Sequence, residues 1–135
     1  MRQIAINEVT IEREEHLLRA RQAAREASSA MGFNLVDQTR LITAVSELTR
    51  NVYNYAGRGV VTLEKVEKNA RSGLMVTVTD RGPGIADIEL AMTDGYSTGG
   101  GLGNGLGGCQ RLVDEFDIRS KAGEGTVVKI VKWQS

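Results

Sequence analysis

Apolar and polar residues alternate from Ile4 to Ile11 (IAINEVTI), which predicts a first β-strand. The pattern changes at Glu12. From there to Met31 the chain is rich in Glu, Arg and Ala and nearly free of β-branched residues, which predicts a long helix stopped by Gly32. Asn34 and Asp37 are both placed to cap a second helix that reaches about Tyr55 and ends at Gly57. Within it Leu41, Val45, Leu48, Val52 and Tyr55 recur at helical spacing, a stripe expected to face a sheet. Val60–Val66 and Leu74–Thr79 return to alternation with period two, and the polar stretch Glu67–Gly73 joins them as a hairpin. A glycine-rich region follows, then a helix over Leu106–Glu115. Phe116–Ser120 and Thr126–Trp133 predict a second hairpin across Ala122-Gly123-Glu124-Gly125.

The order is therefore β-α-α-β-β-loop-α-β-β. Short hairpin connections favour an α+β fold: a two-layer sandwich whose mixed, mostly antiparallel sheet carries its helices on one face. A length of 135 residues suits one domain, residues 1–135, with a real core.

Composition narrows the classes. A hydrophobic fraction of 41% and a charged fraction of 25% are ordinary for a globular domain, and the formal net charge is zero. No basic stripe points to nucleic acid. No apolar run approaches a membrane span, and the N-terminus shows no signal-peptide core, so a cytoplasmic protein that avoids membranes is expected. Cys109 is the only cysteine, which excludes an intrachain disulfide. The 16 glycines are more than average and concentrate between Gly95 and Gly108.

Three segments carry candidate chemistry. On the second helix Arg40, Thr43, Glu47, Asn51 and Asn54 form a stripe about 100° behind the apolar one. Glu47 and Asn51 are neighbours one turn apart at the border of the buried face. A carboxylate and an amide oxygen so placed suit a hard cation that takes its other ligands from phosphates and water. The spacing alone is what many solvated helix edges show. Asp80-Arg81-Gly82-Pro83-Gly84-Ile85 follows the strand Leu74–Thr79 directly. Its glycines give a tight turn, and Asp80 can accept hydrogen bonds from a ligand's exocyclic amine. Finally, the run from Asp94 to Gly108 leads into a helix N-terminus, a cradle of backbone amides for polyphosphate.

Other phosphate motifs fail. Gly103-Asn104-Gly105-Leu106-Gly107-Gly108 spells G-x-G-x-x-G without the preceding strand of a dinucleotide fold, and no Lys-Ser/Thr completes a Walker A loop. The eukaryotic kinase set is missing too, and His16, the only histidine, reads as a surface helix residue.

In this order the segments resemble the GHKL ATPase superfamily of gyrase, Hsp90, histidine kinases and MutL. Glu47-x-x-x-Asn51 resembles the N box, Asp80-x-Gly82-x-Gly84 the G1 box, and Gly101-x-Gly103-x-Gly105 with Leu106-Gly107 the G2 box. Thr126 matches the last-strand threonine that supports adenine binding. The resemblance covers essentially the whole chain and implies the Bergerat fold with ATP and Mg²⁺ as cofactors. It makes Glu47 the base or water-orienting carboxylate, reaching the metal through water, and Asn51 the Mg²⁺ ligand. Asp80 becomes the adenine anchor, with Gly82, Gly84 and Ile85 beside it. Ser97, Thr98, Gly101, Leu102, Gly103, Asn104, Gly105 and Leu106 become the lid around the phosphates.

Within the superfamily, Ser46–Asn51, Tyr53-x-Tyr55-Ala56-Gly57 and Gly95–Thr98 look most like the switch kinases of bacterial stress signalling, and less like the anti-sigma factor kinases. That resemblance implies a serine/threonine kinase that phosphorylates a STAS-domain antagonist and, once released, activates a PP2C-type phosphatase. A stressosome-like scaffold is a further partner in that setting. Two positions depart from the wider pattern. Tyr55 stands where many N boxes carry histidine, and Ser97-Thr98-Gly99-Gly100 lacks the lid arginine of anti-sigma kinases. The second departure favours the switch-kinase branch. Two alternatives remain open: an anti-sigma factor that sequesters a sigma subunit, and a nucleotide-gated interaction module with little kinase activity.

Overall fold

The computed structural model describes residues 1–84, 92 and 105–135. The chain runs β1 (Arg2–Ile11), α1 (Glu15–Met31), α2 (Leu35–Tyr55), β2 (Gly59–Lys68), β3 (Arg71–Asp80), α3 (Gly105–Leu112), β4 (Glu115–Lys121) and β5 (Gly125–Trp133). The five strands form one sheet in the order β1-β2-β3-β5-β4. Every pairing is antiparallel, so the mixed sheet expected from the sequence is fully antiparallel among the described residues.

One face of that sheet carries the core. Val61 and Leu63 of β2, Leu74, Val76 and Val78 of β3, and Val128 and Ile130 of β5 pack with Leu41, Ala44, Val45, Leu48 and Val52 of α2. Alternation along each strand puts these residues on a single side, and burying each large one contributes about 1.5–3 kcal/mol. Ala20, Ala23, Ala24 and Ala27 form the buried face of α1 and let it lie close to α2. The opposite face holds only a small cluster, Val66, Met75, Val131 and Trp133. There the Arg71 guanidinium lies 5.0 Å from the Trp133 ring centroid, and the indole N–H donates to Glu115 Oε2 at 2.6 Å.

Several expectations need correction. The first helix begins at Glu15 rather than Glu12, and the His16 imidazole binds the residues that lead into it. His16 Nδ1 accepts from the backbone N–H of Glu12 at 3.0 Å and of Arg13 at 3.2 Å. At 8% exposure His16 is buried, not a surface residue. Asn34 caps α2, its side chain accepting from Asp37 N at 2.8 Å. The β2–β3 connection is tighter than the polar stretch suggests. The strands continue to Lys68 and from Arg71, leaving Asn69 (φ 52°) and Ala70 (φ 65°) as a two-residue turn of the kind that matches strand twist. Tyr55, counted with the buried stripe, is 43% exposed. Val52 already sits over Gly59, the first residue of β2, so the next turn of α2 overshoots the strand.

The last helix stops at Leu112, and Glu115 belongs to β4. Asp114 is taken by β5 instead: its N–H donates to Val131 O at 3.0 Å, and its carboxylate accepts from Trp133 N at 2.7 Å. Lys132 lies between Asp114 (3.3 Å) and Asp37 (3.6 Å), tying β5 to the start of α2.

Candidate active site

The candidate residues gather at the other end of the sheet, where β3 ends and β5 begins. Asp80 pairs with Gly59 of β2 on one side and with Thr126 of β5 on the other. Asp80, Thr126 and Ser120 of β4 continue the strand positions that carry Val78, Val128 and Ile118, so they lie on the helix-covered face just past the core.

Close backbone approach builds this corner. Asp80 Oδ1 accepts from Gly82 N at 2.9 Å, folding the turn back on the strand end. A Cβ on Gly82 would meet Ala56 Cβ at 2.5 Å, so the turn lies against the end of α2. Gly84 (φ +74°) is pressed on the β4–β5 turn, where an added Cβ would meet Lys121 O at 2.1 Å. Gly123 N donates to Pro83 O at 2.7 Å across the same junction. Gly125 (φ +100°) completes it, since a Cβ there would lie 2.2 Å from Asp80 O. Glycine is required at both positive-φ sites for conformation and for space.

Burial pushes the Asp80 carboxyl above its usual value of 3.8, against the opposing pull of the Gly82 and Thr126 backbone amides. Thr126 is buried at 7% exposure, and its hydroxyl is 2.7 Å from Ser120 Oγ, which also donates to Gly125 O at 3.0 Å.

Glu47 and Asn51 are half-buried at the border of α2, as their spacing implied. Asn51 precedes Val52, whose methyl group stands over Gly59, the cross-strand neighbour of Asp80. Glu47 lies one turn earlier, toward α3. Its charge acts on Cys109, whose thiol is pushed up to about 12, first by burial and then by Glu47. Cys109 Sγ also contacts Ala44 O at 3.5 Å. The structure thus brings Asp80, Gly82, Gly84 and Thr126 to one corner, places Val52, the chain neighbour of Asn51, against Gly59 at its edge, and sets Glu47 near Cys109 of α3. Gly105 opens α3, and Leu106 buries its side chain at 4% exposure, leaving its backbone as its contribution to a ligand. Ile85, Ser97, Thr98, Gly101, Leu102, Gly103 and Asn104 lie outside the described residues.

Sequence reasoning passed over Ser120, Gly59 and Cys109. Ser120 had a local signal, its place across the Ala122–Gly125 turn from Thr126. The other two are revealed only by packing.

The donors present fit a nucleotide and a hard cation. Asp80 keeps acceptor capacity beyond its bonds from the Gly82 and Thr126 amides, and Asn51 and Glu47 carry oxygens of the kind Mg²⁺ takes together with phosphates. Among the described residues no group of three or more His, Cys, Asp and Glu side chains is placed to hold a metal ion.

Comparison with known proteins shows the family and the fold. Residues 36–134 match the family described as histidine kinase-, DNA gyrase B- and HSP90-like ATPase. The serine/threonine-protein kinase RsbT of Bacillus subtilis (strain 168) is 49% identical over 93% of this chain and 94% of its own. An anti-sigma F factor of Pasteuria penetrans is 32% identical over 73% of this chain and 69% of its own. Among solved structures, the RsbU and RsbW domains of a Mycobacterium tuberculosis protein superpose with a TM-score of 0.64 at 17% identity, covering 100% of this chain and 34% of that chain. The mycobacterial sensor histidine kinase MprB gives 0.56 at 19% identity, covering 95% and 97%. These two speak for the fold alone. The chain belongs to the histidine kinase-, DNA gyrase B- and HSP90-like ATPase family, on the branch of the RsbT serine/threonine-protein kinases.

Proposed function

We propose that this protein is an ATP- and Mg²⁺-dependent switch kinase acting on a serine or threonine of a small STAS-domain antagonist. Once released, it binds and activates a PP2C-type phosphatase, and a stressosome-like scaffold is the setting in which the exchange occurs. The observation that carries the nucleotide reading is the pairing of Asp80 with Thr126 at the sheet end, directly beside the contact of Gly59 with Val52, the chain neighbour of Asn51. The kinase reading rests on the 49% identity to RsbT.

In this reading Asp80 accepts from the adenine amine and Thr126 lines the same edge of the base. Asn51 holds Mg²⁺, which when bound neutralises phosphate charge. Glu47, which would reach the metal through water, takes the proton of the attacking hydroxyl as the hydroxyl oxygen bonds to phosphorus and the bond to ADP breaks. Such transfer needs positioning more than covalent help, and α2 supplies both Glu47 and Asn51 from one rigid element. The lid assignments for Ser97, Thr98, Gly101, Leu102, Gly103, Asn104, Gly105 and Leu106 belong to the same proposal. So does a cytoplasmic location. No helix among the described residues is long and apolar enough to cross a membrane.

The test is incubation with labelled ATP, Mg²⁺ and a candidate STAS protein, followed by phosphosite mapping. Transfer to one serine or threonine is expected. Tight nucleotide binding without transfer would support the nucleotide-gated module instead. The 32% identical anti-sigma F factors support a further reading, a protein that sequesters a sigma subunit. Capture of a purified sigma factor by the ATP-loaded chain, with no activation of the phosphatase, would decide for it.

A further inference from the structure

The end of the molecule remote from Asp80 and Thr126 holds an open cavity of about 530 Å³, bounded by the start of α2, the start of β3 and the end of β5. On its rim Leu35 and Val36, the first two residues of α2, are 78% and 60% exposed. Scattered apolar surface residues need no explanation, but an adjacent pair beside a cavity makes a patch. Trp133 and Arg71 line the other side, the guanidinium 5.0 Å from the ring centroid. Tryptophan and arginine are among the side chains most enriched where protein interfaces concentrate their binding energy.

The charges around this cavity leave cations over. Asp37 and Asp114 line it, and every oxygen of their carboxylates already has a donor from this chain. Lys132 Nζ lies 3.6 Å from Asp37 Oδ1 and 3.3 Å from Asp114 Oδ1. Asp37 Oδ2 accepts from Asn34 Nδ2 at 3.3 Å and from Ser135 Oγ at 3.4 Å, and Asp114 Oδ2 accepts from Trp133 N at 2.7 Å. Arg71 has no carboxylate partner among the described residues, and neither has Arg40, one turn beyond Val36 on the surface of α2.

We propose that this cavity is a docking site for an acidic amphipathic segment of a partner protein. One large apolar side chain of the segment enters against Leu35, Val36 and Trp133, and carboxylates on either side of it meet Arg71 and Arg40. The charge pattern selects the sign of the partner, because a basic segment would bring cations to guanidinium groups with no free carboxylate to offset them. Helix α2 separates this surface from the catalytic end, since Leu35 and Asn51 are about 24 Å apart along its axis. A partner seated here leaves Asp80 and Thr126 uncovered, and the inference does not depend on the proposed nucleotide site.

Trp133 is the only tryptophan of the chain, so its emission reads the cavity directly. The test is fluorescence titration of the full chain with synthetic helical peptides of one design. The first carries a leucine stripe flanked by glutamates, the second has lysines in place of the glutamates, and the third has alanines in place of the leucines. A saturable change with the first is expected, at an affinity at least about tenfold higher than for the second or the third. Leu35→Ser combined with Val36→Ser should weaken the first at least about tenfold. Arg71→Glu should abolish its advantage over the lysine peptide. All three substituted residues are exposed, so these variants should melt at the wild-type temperature, and the comparison of peptides on wild type stays decisive if one does not. No saturable change with the first peptide, or equal affinity for the glutamate and lysine peptides, would overturn the proposal. Full affinity in the Leu35/Val36 variant would overturn it as well. So would displacement of the peptide by MgADP, which would put the peptide at the opposite end of the molecule.

Discussion

Val52 of α2 stands directly over Gly59 of β2: a Cβ on Gly59 would come within 2.5 Å of Val52 Cγ1 and 2.8 Å of Thr79 O. Neither neighbour can give way cheaply, since one belongs to the packed helix and the other to the strand backbone. Gly59→Ala should lift the end of α2, cost about 1–3 kcal/mol of stability as overpacking does, and weaken nucleotide binding through the displaced Asn51. Gly57→Ala is the control. Its added Cβ meets nothing within 4 Å, though φ is +76°, so it should cost strain energy alone. Denaturant melts and ADP titrations of the pair check this; equal effects on binding would remove the packing argument.

Glu47 and Asn51 should separate by function. Glu47→Ala is expected to lower transfer to the proposed STAS substrate by at least about a hundredfold, the usual scale of general-base loss, with ATP affinity little changed. Asn51→Ala should abolish the Mg²⁺-dependent part of ATP binding. Transfer at the wild-type rate in the first variant, or unchanged affinity in the second, would show the assigned roles to be wrong.

Asp80 links stability to pH in a definite direction. Its folded value is raised above 3.8, so the ionised carboxylate opposes folding at neutral pH, and that opposition fades as pH falls through the raised value. Asp80→Asn removes it. The ligand-free variant should melt at or above the wild-type temperature at pH 7, with the advantage shrinking toward pH 4 and ADP no longer raising the melting temperature. A variant that melts lower at pH 7 yet keeps its response to ADP would contradict both parts.

Cys109 gives a probe of the interior. A thiol pushed up to about 12 and buried at 0% exposure holds almost no thiolate at pH 8. Maleimide labelling of the native protein should be slow and become fast in denaturant. Rapid stoichiometric labelling without denaturant would show that α3 opens readily.

The sequence made local structure readable where one physical signal dominates. Period-two alternation gave β2, β3 and β5, and the apolar stripe from Leu41 to Val52 gave α2 with Glu47 and Asn51 on its border. Failures occurred where a distant partner overrules a local preference. Helix propensity continues past Leu112, but β5 claims Asp114 through Val131 and Trp133. His16 has the look of a solvated residue, and only the segment at Glu12 and Arg13, whose amides it accepts, makes it buried. The glycines at 82, 84 and 125 read as turn residues. That the turns press on each other at Lys121 O and Asp80 O is information held in the packing.

The two halves of the corner where Asp80 meets Thr126 come from different hairpins. Asp80 ends the β2–β3 hairpin, and Thr126 lies at the start of the second strand of the β4–β5 hairpin. Each hairpin closes a short loop, whereas joining β3 to β5 closes a long one, and long closures are entropically dearer and slower. That corner is therefore expected to assemble after its parts, at the step that docks one hairpin on the other. In refolding experiments, the ability to capture a fluorescent nucleotide should appear later than β-sheet circular dichroism, so that the ligand reports completion of the fold rather than its beginning.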